Sequence, residues 1–284
     1  MILVTGAAGK TGKAIVKALA AKGAAVRALV RRPDHVDALK QIGAAEVSIG
    51  SFEDAGALAD AVAGANAIYH ICPNVSPSEF DYARSVTAAA QAHGVKRFVY
   101  HSVLHPQIEA MPHHWRKMRS EQMLFAFDLD LTILQPTAYM QNLSGAWRGI
   151  VEAGVFRIPY PAETRLALVD LDDVAAAAAI VLTSEGHGGA TYELAGTAPL
   201  SQSEVAAIIG ATLDKDIRVE VETVAAWEAR VRAAGMGDFE AQTLAAMFRY
   251  YAAHGLIGNS NTLQWLLGRA PNSLADFLSR GSKA

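Results

Sequence analysis

A short apolar run, Ile2 to Val4, leads straight into Thr5-Gly6-Ala7-Ala8-Gly9-Lys10-Thr11-Gly12, and a helical stretch follows from Lys13. No other feature constrains the fold as strongly. Gly6 permits a sharp turn, Gly9 leaves the backbone approachable from outside, and Gly12 lets the helix pack close to the strand. A strand feeding a helix through such a turn opens a right-handed crossover to a parallel neighbour.

The rest of the first two-thirds repeats that unit. Candidate strands are Ile2 to Val4, Ala25 to Val30, Glu46 to Ile49, Ala67 to Ile71, Arg97 to His101 and Leu131 to Leu134. Helices are expected between them, near Lys13 to Lys22, Asp34 to Ile42, Ala55 to Val62, Phe80 to His93 and His114 to Phe127. Runs such as Ile-Leu-Val and Leu-Thr-Ile-Leu are apolar on both faces, as buried parallel strands are. The fold class is α/β, a doubly wound parallel Rossmann sheet with a smaller, mostly helical C-terminal domain. Thr191 to Leu194 reads as a further strand returning to the main sheet. Ser201 and Glu204 stand at capping-box spacing, and helices are expected at Ala225 to Ala234 and Asp238 to His254, with Gly255 as a stop. The predicted division is residues 1–138 and 165–198 for the sheet domain and 139–164 with 199–284 for the smaller one, which would cap the carboxyl edge of the sheet.

Composition narrows the function. Lys and Arg number 25 against 28 Asp and Glu, net charge −3, without basic blocks, so neither nucleic acid nor an anionic membrane is an expected partner. The longest low-polarity run, Val174 to Leu182, is far shorter than the about 20 residues that span a bilayer, and reads as a buried Ala-rich helix. Cys72 is the only cysteine, which excludes an internal disulfide. With the first strand beginning at residue 2, no cleavable leader is expected, and the location read from these features is cytoplasmic.

The glycine turn suits a dinucleotide: the pyrophosphate would lie at the helix N-terminus, against Gly6, Ala8, Gly9, Lys10, Thr11 and Gly12, with Thr5 beside it. Gly9-Lys10-Thr11 resembles the end of a P-loop, but that motif needs a glycine where Val4 stands, so nucleoside triphosphate hydrolysis is not expected. A carboxylate at the end of the second strand would bind a ribose 2′-hydroxyl; here the strand ends Val30-Arg31-Arg32-Pro33. Two guanidinium groups at that place favour a 2′-phosphate, hence NADP(H), although a pair of solvated arginines fits the same letters.

With these residues noted, the chain resembles the NmrA-like group of atypical short-chain dehydrogenases/reductases, near its quinone oxidoreductase and triphenylmethane reductase members. The resemblance runs nearly the whole length. It rests on the glycine turn, Leu29-Val30-Arg31, Ile71-Cys72-Pro73, Lys117 with Glu121, and Thr132 to Pro136 followed by Asn142. Further matches are Val169-Asp170, the stretch from Met247-Phe248-Arg249-Tyr250-Tyr251 to Gly258-Asn259-Ser260, and Leu267-Gly268-Arg269. It implies that Ile71, Cys72, Pro73 and Asn74 pass beside the cofactor's ribose and pyrophosphate, and that Ser51 and Phe52 flank the adenine. The group often has Asp where this chain has Ser51. Pro136 and Tyr139, around the end of the sixth strand, are also expected at the cofactor.

Short-chain reductases use a serine after the fifth strand and a tyrosine four residues before a lysine. Ser102 and Lys117 occupy the first and last places, but His113 replaces the tyrosine. Lys117 would bind the nicotinamide ribose, and His113, with His114 beside it, is a candidate proton donor; an ordinary loop-to-helix junction is the plainer account of the two histidines. No carboxylate pairing supports a metal site at His101, His105, His113 and His114. Reducing a simple ketone needs a well-placed acid, whereas a quinone or cationic dye gives a delocalised or neutral product. The expected function is therefore NADPH-dependent hydride transfer to a small, quinone-like or other conjugated acceptor, with Tyr139, Met140, Trp147 and Phe156 as candidate pocket walls or as core. The alternative is a non-catalytic NADP(H)-binding redox sensor acting through a protein partner. Epimerase or dehydratase chemistry relies on the absent tyrosine. A homodimer is compatible with either reading.

Overall fold

The computed structural model describes residues 1–281. Strands and helices alternate at the start: β1 (Ile2–Val4), α1 (Lys10–Ala21), β2 (Val26–Val30), α2 (Val36–Gln41), β3 (Glu46–Ile49), α3 (Ala55–Val62), β4 (Ala67–His70), α4 (Glu79–Ala92), β5 (Arg97–His101), α5 (Pro112–Leu124) and β6 (Asp130–Pro136). Then come β7 (Ala138–Tyr139), α6 (Trp147–Ala153), β8 (Val155–Ile158), β9 (Arg165–Leu166), β10 (Leu168–Val169), α7 (Leu171–Thr183) and β11 (Thr191–Leu194). The chain continues through β12 (Leu200–Ser201), α8 (Gln202–Leu213), β13 (Arg218–Val221), α9 (Val224–Ala233), α10 (Asp238–His254), α11 (Ser260–Leu267) and α12 (Leu274–Gly281).

Seven strands form one parallel sheet in the order β3-β2-β1-β4-β5-β6-β11. The chain winds outward from β1 to β3, then returns to the centre and winds the other way from β4. That reversal is the Rossmann arrangement, and it leaves a crevice beyond the carboxyl ends of β1 and β4. All six early strands stand where the apolar runs place them, and β11 joins the sheet beside β6. On one face Leu3, Leu29, Ile68, Phe98 and Ile133 pack against Leu58, Val62, Ala83, Val86 and Ala90 of α3 and α4. Burying each large side chain contributes about 1.5–3 kcal/mol, so this layer carries much of the stability. α1 buries Gly12, Ile15, Val16 and Leu19, a single stripe at helical spacing.

The chain divides into two compact units. The first is Met1–Gln107, His113–Gln135 and Val174–Tyr192; the second is Ile108–Pro112, Pro136–Asp173 and the chain from Glu193 onward. Among its described residues the second unit holds three small sheets, β7 with β10, β9 with β12, and β8 with β13, together with the late helices. Ser201 caps α8 with the reciprocal Glu204 bonds of a capping box, and Gly255 ends α10 at φ +68°. Two-residue strands such as β7 and β10 carry no readable period, so the pattern after Pro136 looks loose in sequence. Among the described residues no helix is long and apolar enough to cross a membrane.

Candidate functional site

The crevice between β1 and β4 is lined by two turns that touch. Gly6 adopts φ +58°, and a Cβ there would stand 2.7 Å from the Ile71 carbonyl oxygen. Thr5, fully buried, ties the same turns together: its hydroxyl accepts from the Ile71 N–H at 3.0 Å and lies 2.9 Å from His70 Nδ1. Thr5 therefore braces the turn from below rather than lining it. Gly12 is held closer still, since a Cβ would meet Gly6 O at 2.4 Å and Ala7 Cα at 2.6 Å. Gly9 differs. Its Cβ would contact Gly6 O alone, at 3.4 Å, with nothing else within 4 Å.

Helix α1 starts at Lys10, not Lys13, with Gly9 as its N-cap. Lys10, Thr11 and Gly12 thus form its first turn. Gly9 has no side chain with which to cap this end, and no acidic residue stands in the first turn. The positive end of the helix dipole lies at this turn, next to Gly9. Such an end favours an anion, and Ala8 beside it is half-buried.

At the end of β2 the two arginines separate. Arg32 is engaged with Asp34, at 3.3 Å, and with His35, at 3.1 Å. Arg31 is exposed and has no ion pair or hydrogen bond among the described residues. Beyond β3, the Ser51 hydroxyl accepts from the Glu53 N–H, and Phe52 packs edge-on against His70 with ring centres 5.5 Å apart. Phe52 also leans on Tyr82 at 5.1 Å.

The segment after β4 carries Ile71, Cys72, Pro73 and Asn74. Pro73 and Asn74 are exposed, while Cys72 is buried and its thiol is pushed far above the ordinary range by desolvation and by Glu79. A thiol kept protonated by burial is a poor nucleophile. Val75 holds φ +52°, a left-handed conformation that a β-branched residue rarely takes.

Helix α5 begins at Pro112 and includes His113, so His113 and Lys117 share one face a turn apart. The Lys117 ammonium donates to Glu79 Oε1 at 3.0 Å and to the His101 carbonyl at 2.9 Å, 5.2 Å above the Tyr100 ring. Glu79, the first residue of α4, is buried and also accepts from the Tyr100 hydroxyl at 2.7 Å. Burial alone would raise its pKa, but Lys117, the Tyr100 hydrogen bond and His70 outweigh it and leave the carboxyl below its usual range. Nothing in the sequence pattern singles out Glu79; its 38-position separation from Lys117 is closed only by the sheet.

Ser102 is buried, with its backbone N–H on the Leu134 carbonyl and its hydroxyl donated to Glu121. Gln135 donates to both Glu121 oxygens, at 2.9 and 3.1 Å, and desolvation raises the Glu121 pKa. His113 has its Nδ1 buried without a partner, and desolvation, then His114 and Lys117, lower its pKa to about 3. His114, also buried, is lowered to about 4 and places Nδ1 3.3 Å from the His105 carbonyl. Both imidazoles are neutral at pH 7. Pro136 and Tyr139 belong to the second unit, where Tyr139 pairs with Val169 in register.

The model of the NmrA-like family matches residues 1–277. This chain belongs to the NmrA-like family. Among its relatives, quinone oxidoreductase 2 of Escherichia coli (strain K12) is 29% identical over 98% of each chain. The NAD(P)H azoreductase of Xenophilus azovorans is 27% identical over 98% of this chain and 96% of its own. A crystal structure of the NADPH-dependent quinone oxidoreductase QOR2 from E. coli, complexed with NADPH, superposes with a TM-score of 0.88 at 29% identity, covering 99% of this chain and 100% of that one. In this NmrA-like chain the open Gly9 face and the uncapped α1 N-terminus fit the pyrophosphate of such a cofactor.

Proposed function

We propose that the chain is an NADPH-dependent reductase that passes hydride to a quinone-like or other conjugated small molecule. The carrying observation is the glycine cradle at the sheet's reversal, open at Gly9 and uncapped at α1, with the unpaired Arg31 at the end of β2. When bound, NADPH supplies the hydride. Gly6, Ala8, Gly9, Lys10, Thr11 and Gly12 hold its pyrophosphate, with Thr5 bracing them; Arg31 holds the 2′-phosphate with Arg32 in support; Ser51 and Phe52 flank the adenine. Ile71, Cys72, Pro73 and Asn74 pass beside the ribose. The second domain, 139–164 and 199–284, is the acceptor-binding part.

Lys117 is the residue for the nicotinamide ribose: two of its three N–H groups are taken by Glu79 and His101, and no hydrogen-bond acceptor among the described residues takes the third. The acceptor class follows from position 113. A neutral imidazole is a weak acid, which suits acceptors whose reduced form is delocalised and needs little protonation in the transition state. Ser102 supports the end of β5 through Glu121. The relatives, a quinone oxidoreductase and an NAD(P)H azoreductase, support the same class.

The test is NADPH oxidation followed at fixed enzyme against a panel of quinones, azo dyes and simple ketones. Turnover with conjugated acceptors and none with ketones is expected. Tight NADPH binding without turnover on any acceptor would overturn the reductase reading in favour of a sensor, and simple-ketone turnover would overturn the acceptor class.

A further inference from the structure

We propose that Glu79 is the positioning residue for Lys117, the group that fixes the ammonium so that its remaining N–H is available to the cofactor ribose. The inference deepens the reading above and rests on it. A lysine side chain carries much rotamer entropy, and one left loose would surrender it each time the cofactor bound. Here that ordering is completed in folding. Glu79 Oε1 and the His101 carbonyl accept from Nζ at 3.0 and 2.9 Å, on two different elements, and the Tyr100 ring lies beneath it.

Glu79 is itself held. Its side chain is 5% exposed against 16% for Lys117. The Tyr100 hydroxyl donates to the same Oε1 that Lys117 uses, and the carboxylate sits in the first turn of α4, where the helix dipole favours negative charge. A buried carboxylate of this kind needs partners, because an unpaired buried charge is strongly destabilising. Glu79, Tyr100 and Lys117 therefore form one unit: the tyrosine orients the carboxylate, and the carboxylate orients the ammonium. Tyr100 stands on β5 one residue before His101, so one strand end supplies both the brace and the second acceptor.

The experiment uses the full chain and compares wild type with Glu79→Gln, Lys117→Met and the double variant. Dissociation constants for NADPH are read by the cofactor's own fluorescence, kcat and KM with 2-methyl-1,4-naphthoquinone, and stability by thermal unfolding. Glu79→Gln keeps the side-chain volume and removes the charge; NADPH binding is expected to weaken about tenfold, the size of one lost charge-assisted hydrogen bond. The effect should fall on the KM for NADPH and on kcat, leaving the KM for the quinone unchanged. In the Lys117→Met background the same change should do little, since the residue to be positioned is gone.

An undiminished loss in that background, or Glu79→Gln binding like wild type while Lys117→Met does not, would overturn the proposal. If Glu79→Gln fails to fold, Glu79→Asp retains the charge but shortens the reach; weakened NADPH binding in a folded Glu79→Asp protein is expected, and wild-type binding would overturn the proposal equally. Failure of the wild type itself to bind NADPH would sink the functional reading instead, so the two failures are distinguishable.

Discussion

Asp173 and Arg269, 96 positions apart in the sequence, meet at 2.6 Å, and the carboxylate end of the pair has no exposure to solvent. The other Asp173 oxygen accepts from the Asn272 N–H at 2.6 Å. Asp170, also fully buried, takes the Asn272 side chain at 2.9 Å, Gln141 at 2.8 Å and the Arg280 guanidinium. Two buried carboxylates at the start of α7 thus clamp the segment that follows α11.

Removing one side of that clamp leaves a buried charge short of its partner. Arg269→Ala is expected to destabilise the protein by about 1–3 kcal/mol, below the full value for a buried pair because Arg269 is half-exposed and Asn272 remains. A urea titration checks it. An unchanged midpoint would show that the pair contributes nothing measurable.

The glycines should separate stability from binding. Gly12→Ala forces a Cβ against Gly6 O and Ala7 Cα, so the melting temperature should fall by several degrees. Gly9→Ala meets only one ordinary contact, and its melting temperature should stay within about 2 °C of wild type while NADPH affinity drops by at least about tenfold. Thermal scans and fluorescence titrations on the two proteins, side by side, decide the matter; equal behaviour would contradict it.

Arg31 and Arg32 should differ in cofactor choice. Arg31 is unpaired and Arg32 already serves Asp34 and His35, so Arg31→Ala is expected to cut the NADPH-over-NADH preference by about 10–100-fold and Arg32→Ala by much less. The ratio of dissociation constants for the two cofactors is the readout, and a larger effect from Arg32→Ala would reverse the assignment.

Acid should unfold the chain early. Burial, the largest cause in each case, lowers His70 and His114 to about 4 and His101 and His113 to about 3, against about 6.5 unfolded. Above pH 6.5 both states are neutral at these sites and nothing is lost. As the pH falls from about 6.5 to 4 the unfolded chain takes up protons that the folded one refuses, so each histidine costs about 1.4 kcal/mol per pH unit there. Glu79, lowered in the folded state, adds loss as the pH drops further; Glu121, raised by burial, offsets part of it. Urea midpoints measured from pH 7.5 to 4.5 should fall steeply, and His114→Gln should make the slope shallower. A flat profile would exclude four buried neutral histidines.

What the letters determined alone were the features that act over short reach: the glycine turn, the apolar strands, the α8 capping box and the Gly255 stop. Each is a matter of backbone sterics or of hydrogen bonds between near neighbours, and such forces are legible in order of residues. That His113 and Lys117 share one helix face was legible too, since four residues make about one turn. The tertiary structure decided the partners. Glu79 reaches Lys117, Glu121 reaches Ser102, and Asp173 reaches Arg269 because distant segments are brought together around buried charge, and burial is a property of the packed chain that no local pattern encodes. It also chose between Arg31 and Arg32, identical as letters, by giving only one of them a neighbouring acid.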